Sequence, residues 1–276
     1  MSKEVQNKRA RFNKILNQIK TVKIQGARNI AKNALKAYFL FPTSQSKEML
    51  LNSRPTEPMM NYVLDLAQKG SSEKEILEHF DEAQDKINKF VLKLIESNDK
   101  IFTHCHSTNV VNSLIYSKQH GKKFEVYNTE TRPLFQGRKT AIELRKSGIK
   151  TTTFIDAASL IAIAKENKKD KIYSTKIFLG ADALLKEGVI NKIGSGMIAE
   201  LAKQEKVPVY IIADSWKFTT KKVSIEQRKL NEVWNNAPKN IVIKNPAFEF
   251  IPKEKITGII SEKGVFSYQE FIKRIN

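Results

Sequence analysis

From about residue 98 onward, short apolar or β-branched runs alternate with stretches of helical periodicity. Strands that alternate with helices in this way indicate βαβ units, which build a mainly parallel sheet because each parallel connection has to cross that sheet. The chain therefore belongs to the α/β class. The predicted strands are 100–104, 124–128, 151–155, 174–179, 208–213, 240–244 and 256–261, and the predicted helices are 108–120, 137–147, 157–166, 195–205 and 267–275.

The first 97 residues have a helical pattern throughout and no strong strand. Ser72 and Glu75 form the sequence of a capping box, with a hydroxyl at the N-cap and a carboxylate three residues later. We predict a helical N-terminal domain, residues 1–97, followed by a Rossmann-like α/β domain with a mainly parallel sheet, residues 98–276. The helices predicted in the first part are 4–24, 26–40, 46–51, 58–69 and 72–97.

Several predicted strands end in an ionisable residue. These residues are His104, Cys105, Glu130, Asp156, Asp182 and Asp214. Ligands of open parallel sheets bind at the carboxyl ends of the strands, so this set predicts a site at that edge. Asp156, which precedes two alanines, is instead typical of an ordinary turn residue.

Two of these residues carry chemistry. Cys105 is the only cysteine, and it lies between two histidines where a strand runs into a helix. A thiol at a helix N-terminus is expected to have a lowered pKa, although a lone cysteine is also commonly a small buried hydrophobe. Asp182 follows Gly180 and Ala181 at the end of an apolar strand, where burial is expected to raise the pKa of its carboxyl into a proton-donor range.

The motifs that bind common cofactors are absent from the sequence. There is no G-x-G-x-x-G and no Walker A motif, and Gly194-Ser-Gly196 alone is weak support for a phosphate site. His104, Cys105 and His106 are consecutive, so in an extended chain their side chains alternate between two faces and cannot converge on one metal. We predict no metal and no cofactor.

The formal net charge of +19 has two interpretations, a nucleic-acid partner or lysine-rich solvated faces. Residues 1–36 hold ten Lys or Arg and one acid, and these alternate with apolar residues at helical spacing. That pattern predicts an amphipathic helix with a basic outer face. We favour the solvated face over a nucleic-acid partner, because the sequence has no RNA-binding aromatic motif and no zinc-finger spacing.

The cellular setting follows from what the sequence contains. One cysteine is incompatible with an intrachain disulfide framework and fits a reducing compartment. No apolar run approaches the roughly 18 residues that span a bilayer, and the basic N-terminus has no apolar signal-peptide core. We expect a cytoplasmic protein with no membrane partner.

Taken in chain order, several short motifs resemble one known family. They are Thr103-His-Cys-His-Ser107, Glu130-Thr-Arg-Pro133 with Gln136-Gly137, Gly180-Ala-Asp182, Gly188-Val-Ile-Asn-Lys-Ile-Gly194, Ser53-Arg-Pro-Thr56 and Trp216-Lys-Phe218. They resemble the sugar-phosphate isomerases that act on ribose 1,5-bisphosphate or methylthioribose 1-phosphate, whose fold is shared with regulatory subunits of initiation factor 2B. The resemblance spans about residues 20–266. Within the family, His106 after the cysteine is similar to the archaeal ribose 1,5-bisphosphate branch, whereas the methylthioribose branch usually has Asn there.

The resemblance implies roles for particular residues and a helical domain docked on the α/β domain, with the site in the crevice between them. Cys105 matches the base that takes a proton from C2 of the sugar, and Asp182 matches the acid that protonates oxygen as the ring opens. It also implies a sugar bisphosphate as the small-molecule partner, no cofactor, and a homo-oligomer, either a dimer or a trimer of dimers. The substrate-binding residues implied are Gly26, Ala27, Arg28, Arg54, His106, Ser107, Gln136, Asn191, Lys192 and Lys217.

One position departs from the family pattern. The family usually has Arg immediately before the Gly-Ala pair, and this chain has Gln25, which cannot form a charged fork with phosphate. Arg28 is the candidate to compensate. Two alternatives to the bisphosphate isomerase therefore stay open, a methylthioribose-1-phosphate isomerase and a non-catalytic protein that senses a sugar phosphate.

Overall fold

The computed structural model describes residues 2–275, without the side chains of residues 167 and 168. Helices and strands follow one another along the chain much as the periodicity predicts. The helices are α1 (Lys3–Lys20), α2 (Ala27–Leu40), α3 (Ser44–Ser53), α4 (Pro58–Gln68), α5 (Glu73–Leu94), α6 (Thr108–Gln119), α7 (Gln136–Lys146), α8 (Ser159–Ile163), α9 (Ser195–Gln204) and α10 (Tyr268–Ile275). The strands are β1 (Asp99–Thr103), β2 (Phe124–Thr129), β3 (Lys150–Phe154), β4 (Lys176–Leu179), β5 (Ala183–Leu184), β6 (Gly188–Lys192), β7 (Val209–Ile212), β8 (Phe248–Pro252), β9 (Gly258–Ser261) and β10 (Gly264–Phe266).

Seven strands form one sheet in the order β10-β9-β7-β4-β1-β2-β3. Every neighbouring pair is parallel except β9 with β10, which confirms a mainly parallel α/β architecture. β1 and β4 pair directly, with Thr103 opposite Phe178 at their carboxyl ends. The loops that follow these two central strands therefore leave the sheet side by side.

The first five helices pack around an apolar core of their own. α1 buries Phe12 and Ile19 and leaves its basic face to solvent, as its periodicity predicts. The capping box at the start of α5 is also confirmed. The Ser72 side chain accepts the backbone N–H of Glu75, and the Glu75 side chain accepts the backbone N–H of Ser72. Between residues 2 and 97 the structure contains no strand, in agreement with the sequence.

Five strand assignments differ from the prediction, one predicted strand that is absent and four strands that were not predicted. Residues 240–244 are a loop and not a strand, and Val242 is 82% exposed there. Their β-branched composition favours an extended chain, but a strand also needs a neighbour to bond with, and none is adjacent among residues 2–275. A small antiparallel sheet in the order β5-β6-β8 was not predicted, and neither was β10; β5 and β6, like β9 and β10, follow each other with no helix between them, so they lie outside the βαβ alternation.

Helix α5 links the helical part of the chain to the sheet. Its first half packs Ile76 and Phe80 in the core of the helices. Its second half packs Ile87 and Val91 against the apolar residues of the sheet. A division at residue 97 stays a prediction, because α5 contributes to the cores on both sides of it.

A buried polar network joins α5 to α6. Asn88 Oδ1 accepts hydrogen bonds from Gln84 Nε2 at 2.7 Å and from Ser113 Oγ at 2.9 Å. Asn109, in the first turn of α6, donates to Gln84 Oε1 at 3.0 Å. The network fixes the start of α6, which directly follows the Cys105 loop.

Asn88→Ala should destabilise the fold by about 1–3 kcal/mol, because it leaves two buried donors without their acceptor. The measurement is the free energy of unfolding from urea titration followed by circular dichroism. Lys89→Ala, one residue along on the exposed face, is the matched control and should change the stability by less than about 0.5 kcal/mol. Equal effects of the two substitutions would contradict a stabilising role for the network.

Candidate active site

A cavity of about 480 Å³ opens where the first turn of α2 meets the carboxyl ends of β1 and β4. All the catalytic and substrate-binding residues that the family resemblance implies line it, whereas Glu130, Asp156 and Asp214 of the strand-end set do not. The implied residues that line the cavity are Cys105, Asp182, Gly26, Ala27, Arg28, Arg54, His106, Ser107, Gln136, Asn191, Lys192 and Lys217. Residues as far apart as 26 and 217 therefore meet in one space between the helical part and the sheet.

The Cys105 loop is held by threonine side chains on both sides. The Cys105 N–H donates to Thr131 Oγ1 at 3.0 Å, and its carbonyl accepts from Thr140 Oγ1 at 2.8 Å. These bonds hold Cys105 in the left-handed region, with φ at 66°, where residues with a side chain are uncommon. Strained backbone of this kind persists only where its surroundings impose it, and it concentrates at functional sites.

A close approach fixes the distance between the Cys105 loop and β4. A Cβ added to Gly180 would lie 2.6 Å from Cβ and Oγ of Ser107, which is the N-cap residue of α6. Only glycine fits there without displacing the loop. The glycine two residues before Asp182 thus lets the carboxyl and the thiol share the cavity.

The two flanking histidines are neutral. The His104 ring is buried between the Thr129 hydroxyl and the Ile193 carbonyl, and burial lowers its pKa. Because a carbonyl only accepts, His104 Nε2 carries the proton and Nδ1 accepts from Thr129. Burial, aided by the charge of Lys139, lowers the pKa of His106 to about 4. These histidines therefore do not stabilise a thiolate by charge, because neither carries a positive charge at neutral pH.

Burial also decides the protonation of the thiol. It raises the pKa of Cys105 to about 11, against the opposing charge of Lys192 and a backbone N–H, and the carboxylates of Asp182 and Asp156 raise it further. The lowered pKa expected from the helix N-terminus is therefore not found. At pH 7 the thiol form therefore predominates when the cavity is empty. Cys105 still keeps partial access to solvent through the cavity.

Asp182 follows the prediction. Burial raises the pKa of its carboxyl, while Lys217, Arg54 and Lys192 act in the opposite direction. Its own N–H donates to the Ile190 carbonyl at 2.9 Å, which fixes its backbone to the small antiparallel sheet. A carboxyl in these surroundings can hold a proton nearer to neutral pH than an ordinary aspartate.

Lys217 reaches the cavity from the turn after β7. It is only 5% exposed, and its Nζ donates to the Ala181 carbonyl at 2.5 Å. Trp216, the residue before it, stacks on His79 of α5 with the ring centroids 3.4 Å apart. Asp214 caps this turn by accepting from the Trp216 N–H, and His79 Nε2 lies 3.3 Å from the same carboxylate. A contact between α5 and the sheet therefore positions Lys217.

The predicted phosphate donors differ in how free they are. The α2 N-terminus at Gly26 has no side-chain cap, so its backbone N–H groups are available to an anion. Arg28 is less available, because its Nη2 donates to Asp81 at 2.6 Å. Gln25 contacts Gln136 at 3.4 Å across the cavity mouth. This end of the cavity therefore has no strong unpaired cation among the residues that the structure describes.

One carboxyl and one arginine that line the cavity were not predicted. Glu57 lines the cavity and is 3% exposed, and Arg228 also lines it while paired with Glu226 and Glu232. Asp156 has a structural role, as expected, but its side chain holds the loop after β2 and not the turn in which Asp156 itself lies. Its carboxylate accepts the N–H groups of Thr131 and Arg132. No local pattern around residues 57 and 228 indicates which way their side chains point.

Within residues 2–275, no three His, Cys, Asp or Glu side chains lie together as a metal site would require. None of the helices described is both long enough and apolar enough to cross a bilayer.

Known proteins similar to this chain belong to one family. The model of the initiation factor 2 subunit family matches residues 23–268. Ribose 1,5-bisphosphate isomerase of Archaeoglobus fulgidus is 32% identical over 90% of this chain and 87% of that enzyme. Methylthioribose-1-phosphate isomerase of Thermosipho africanus is also 32% identical, over 91% of this chain and 82% of that enzyme. Sequence identity alone does not separate the two substrates.

Among solved structures, the translation initiation factor eIF-2B of Pyrococcus horikoshii superimposes with a TM-score of 0.80. It is 26% identical, and the match covers 93% of this chain and 97% of that one. The α/β architecture with its N-terminal helices is therefore shared along almost the whole of both chains.

Lys192→Met should slow alkylation of Cys105 by iodoacetamide at pH 9 by about tenfold, the effect of roughly one pKa unit. The reason is that Lys192 is the cation that lowers the pKa of this thiol. Because Cys105 is the only cysteine, the mass of the alkylated protein reports this site alone.

Lys203→Met, an exposed lysine on α9, is the matched control and should alkylate like the wild type. Asp182→Asn should instead speed the alkylation of Cys105, since removal of a nearby negative charge favours the thiolate. Identical rates in the two lysine variants would show that Lys192 does not act on the thiol.

Proposed function

Since this chain belongs to the initiation factor 2 subunit family, we propose that it is an aldose–ketose isomerase that converts ribose 1,5-bisphosphate into ribulose 1,5-bisphosphate. The observation that carries the proposal is that the only thiol and a half-buried carboxyl, whose pKa desolvation raises, share one cavity lined by cations. The relatives named as isomerases support the reaction class, and both substrates named among them are ribose phosphates.

The proposed chemistry needs an acid and a base. A phosphate on the anomeric oxygen prevents opening to a free aldehyde, so the ring opens only when its oxygen is protonated, and Asp182 supplies that proton. The Cys105 thiolate then takes the C2 proton to give an enol, and the thiol returns a proton to C1. Asp182 recovers its proton from the C2 hydroxyl as the ketone forms. Every proton is accounted for, and no external oxidant or reductant is consumed.

The charges of the two groups are linked. The Asp182 carboxylate raises the pKa of Cys105, so a negative charge on one of them disfavours a negative charge on the other. The working form in this mechanism has a protonated Asp182 and a Cys105 thiolate beside Lys192. That form is a minority in the empty cavity, and the proximity of both groups to the bound sugar compensates for its low population.

The cations of the cavity favour a substrate with much negative charge. They are Arg28, Lys32, Arg54, Lys139, Lys192, Lys217 and Arg228. The acidic residues in the same lining are Glu57 and Asp182. This excess supports a bisphosphate rather than a sugar with one phosphate.

A specific observation also supports methylthioribose 1-phosphate as a second candidate substrate. Gln25 adds no charge, and Asp81 pairs with both Arg28, at 2.6 Å, and Lys32, at 3.6 Å, which offsets one of their two positive charges. The cavity end beside α2 is therefore less positive than its lining suggests, and Val22 and Leu134 lie in the same lining. An apolar thiomethyl group needs a neutral end of this kind.

Turnover of the two sugars separates these candidates. We expect the wild type to isomerise ribose 1,5-bisphosphate, and Cys105→Ser and Asp182→Asn each to lower kcat by about 10²–10⁴-fold, the usual contribution of a general acid or base. Asp170→Asn, an exposed aspartate outside the cavity, is the matched control and should keep wild-type turnover.

Turnover of methylthioribose 1-phosphate alone would move the assignment to the second candidate. If neither sugar reacts while the folded protein binds one of them, the isomerase proposal fails and a sensor replaces it.

We also propose that the protein assembles as a homo-oligomer through the edge of the sheet at β3. Three apolar side chains on the elements around β3 are exposed. The exposed fraction is 55% for Ile142 on α7, 62% for Ile155 after β3 and 43% for Leu160 on α8. An apolar surface beside the open edge of a strand is typical of a protein–protein contact. A second copy of the chain would cover all three side chains.

Ile155→Asp should shift the protein to a smaller species in size-exclusion chromatography with light scattering, because it places a charge in the apolar contact. Val242→Asp, on the exposed loop, is the matched control and should leave the mass unchanged. A wild-type protein that is already a monomer, or an Ile155→Asp variant that keeps its full assembly, would contradict this interface.

A further inference from the structure

Arg54, at the base of the cavity, is shared between two carboxylates. Its Nη2 lies 3.3 Å from Glu57 Oε1, and its Nε lies 3.1 Å from Glu226 Oε2. Arg54 is 5% exposed and Glu57 is 3% exposed, so both groups of this pair are removed from bulk water. The guanidinium expected to bind phosphate is thus already in contact with two carboxyls in the empty cavity.

The same cluster has polar atoms without partners. Among the residues described, Arg54 Nε and Nη1, Glu57 Oε2 and Glu226 Oε2 are buried and make no hydrogen bond, and two of these four, Arg54 Nη1 and Glu57 Oε2, also lack an ion-pair contact. A buried polar atom without a partner is costly, and its presence at a cavity lining marks a place that a ligand can satisfy. The two orphan atoms are a donor and an oxygen that becomes a donor when its carboxyl is protonated.

The net charge of the cluster depends on which of its carboxyls are protonated. The Asp182 carboxyl is acted on by three cations, Arg54, Lys192 and Lys217. The carboxyls of Glu57, Glu226 and Asp182 balance these cations when all are ionised. A phosphate dianion added to this neutral cluster would bring two uncompensated charges into a desolvated site. Protonation of Glu57 and Asp182 leaves a charge of +2, which the phosphate dianion matches.

We propose that Glu57 is a phosphate-binding residue that acts as the neutral acid, donating its carboxyl proton to a phosphate oxygen beside Arg54 Nη1, so that ligand binding takes up a proton from solvent. The proton comes from water or buffer, and no covalent bond of the ligand changes. The identity of the ligand as a sugar phosphate rests on the proposed function, whereas the role of Glu57 concerns the phosphate group alone.

The electrostatics of the empty site agree with this geometry. Burial raises the pKa of Glu57 to about 8, helped by Asp182 and Glu226 and opposed by Arg54 and Lys217. These four groups come from the loop before α4, the end of β4, the turn after β7 and the loop that follows it. The neutral acid therefore predominates below pH 8 and is lost above it. A ligand that needs the neutral acid binds well at pH 7 and about tenfold more weakly at pH 9.

The test is isothermal titration calorimetry with ribulose 1,5-bisphosphate, and with inorganic phosphate as a probe of the phosphate group alone. Two buffers that differ in ionisation enthalpy give the number of protons taken up. Phosphate monoesters have a second pKa near 6, so from pH 7.5 upward the sugar bisphosphate is already fully ionised and its own protonation contributes little. At pH 8 the wild type should take up about half a proton per site, and its Kd should rise about tenfold from pH 7 to pH 9.

Glu57→Gln keeps a donor of the same shape and cannot titrate. Its Kd should rise less steeply from pH 7 to pH 9 than that of the wild type, and the variant should lose the part of the proton uptake that Glu57 causes, while Asp182, Lys192 and Lys217 keep their own contributions. Glu226→Gln removes the other carboxylate from Arg54 and should keep the proton uptake. Glu57→Asp restores a carboxyl and should restore the pH dependence, which guards against a variant that merely misfolds. Asp182→Asn should retain proton uptake through Glu57.

Proton uptake that is equal in the wild type and Glu57→Gln would overturn the proposal, as would failure of both probes to bind. The proposed role of Glu57 in phosphate binding can be tested independently of catalysis. Proton-linked binding without turnover of either sugar would leave the role of Glu57 intact and reject the isomerase. Turnover of a sugar together with pH-independent binding would support the isomerase and reject the role of Glu57.

Discussion

The parallel pairing of β1 with β4 is the constraint on which the site depends. Thr103 stands opposite Phe178 in this pair, so the chain leaves the sheet at Cys105 and at Asp182 on the same side. Gly180 lets the two loops approach until Ser107 touches its backbone. The remaining elements serve this junction. Thr131 and Thr140 hold the cysteine loop, and helix α5 positions both α6 and Lys217.

Features that depend on periodicity or on the edge of the sheet were predictable from the sequence. The five N-terminal helices, the parallel sheet and the convergence of residues 105 and 182 all follow from local patterns together with the rule that ligands bind at the strand ends. Residues 240–244 were misassigned because β-branched composition describes a preference of the chain and not the presence of a partner strand. The sheet of β5, β6 and β8 was missed because β5 and β6 follow each other with no helix between them, whereas the prediction relied on strands that alternate with helices.

The chemistry of the site was less predictable, because pKa values depend on burial. The sequence places Cys105 between two histidines near a helix N-terminus, and both features suggest a thiolate. In the fold the histidines are occupied by Thr129, Ile193 and Thr140, and desolvation outweighs the remaining cation, Lys192. Asp182 was predicted correctly because the same desolvation was the only effect considered. Glu57 could not be predicted, since nothing near residue 57 reveals that its side chain turns towards Arg54.

Desolvation is thus the common cause of the unusual charges in this cavity. It raises the pKa values of Cys105, Glu57 and Asp182, and it lowers those of Lys192 and Lys217. All five shifts favour neutral groups, which is the state that an empty, dry cavity prefers. A phosphate dianion reverses part of this balance, because it favours protonated carboxyls and charged lysines together. A protonated Asp182 in turn withdraws the negative charge that opposes the Cys105 thiolate, while a charged Lys192 stabilises that thiolate. The phosphate's own charge opposes the thiolate, so the gain is largest if the anion lies nearer to Arg54 and Lys217 than to the thiol. Binding of the anion at the Arg54 end would then move the acid–base pair towards its working form, and phosphate recognition and proton transfer become parts of one electrostatic event.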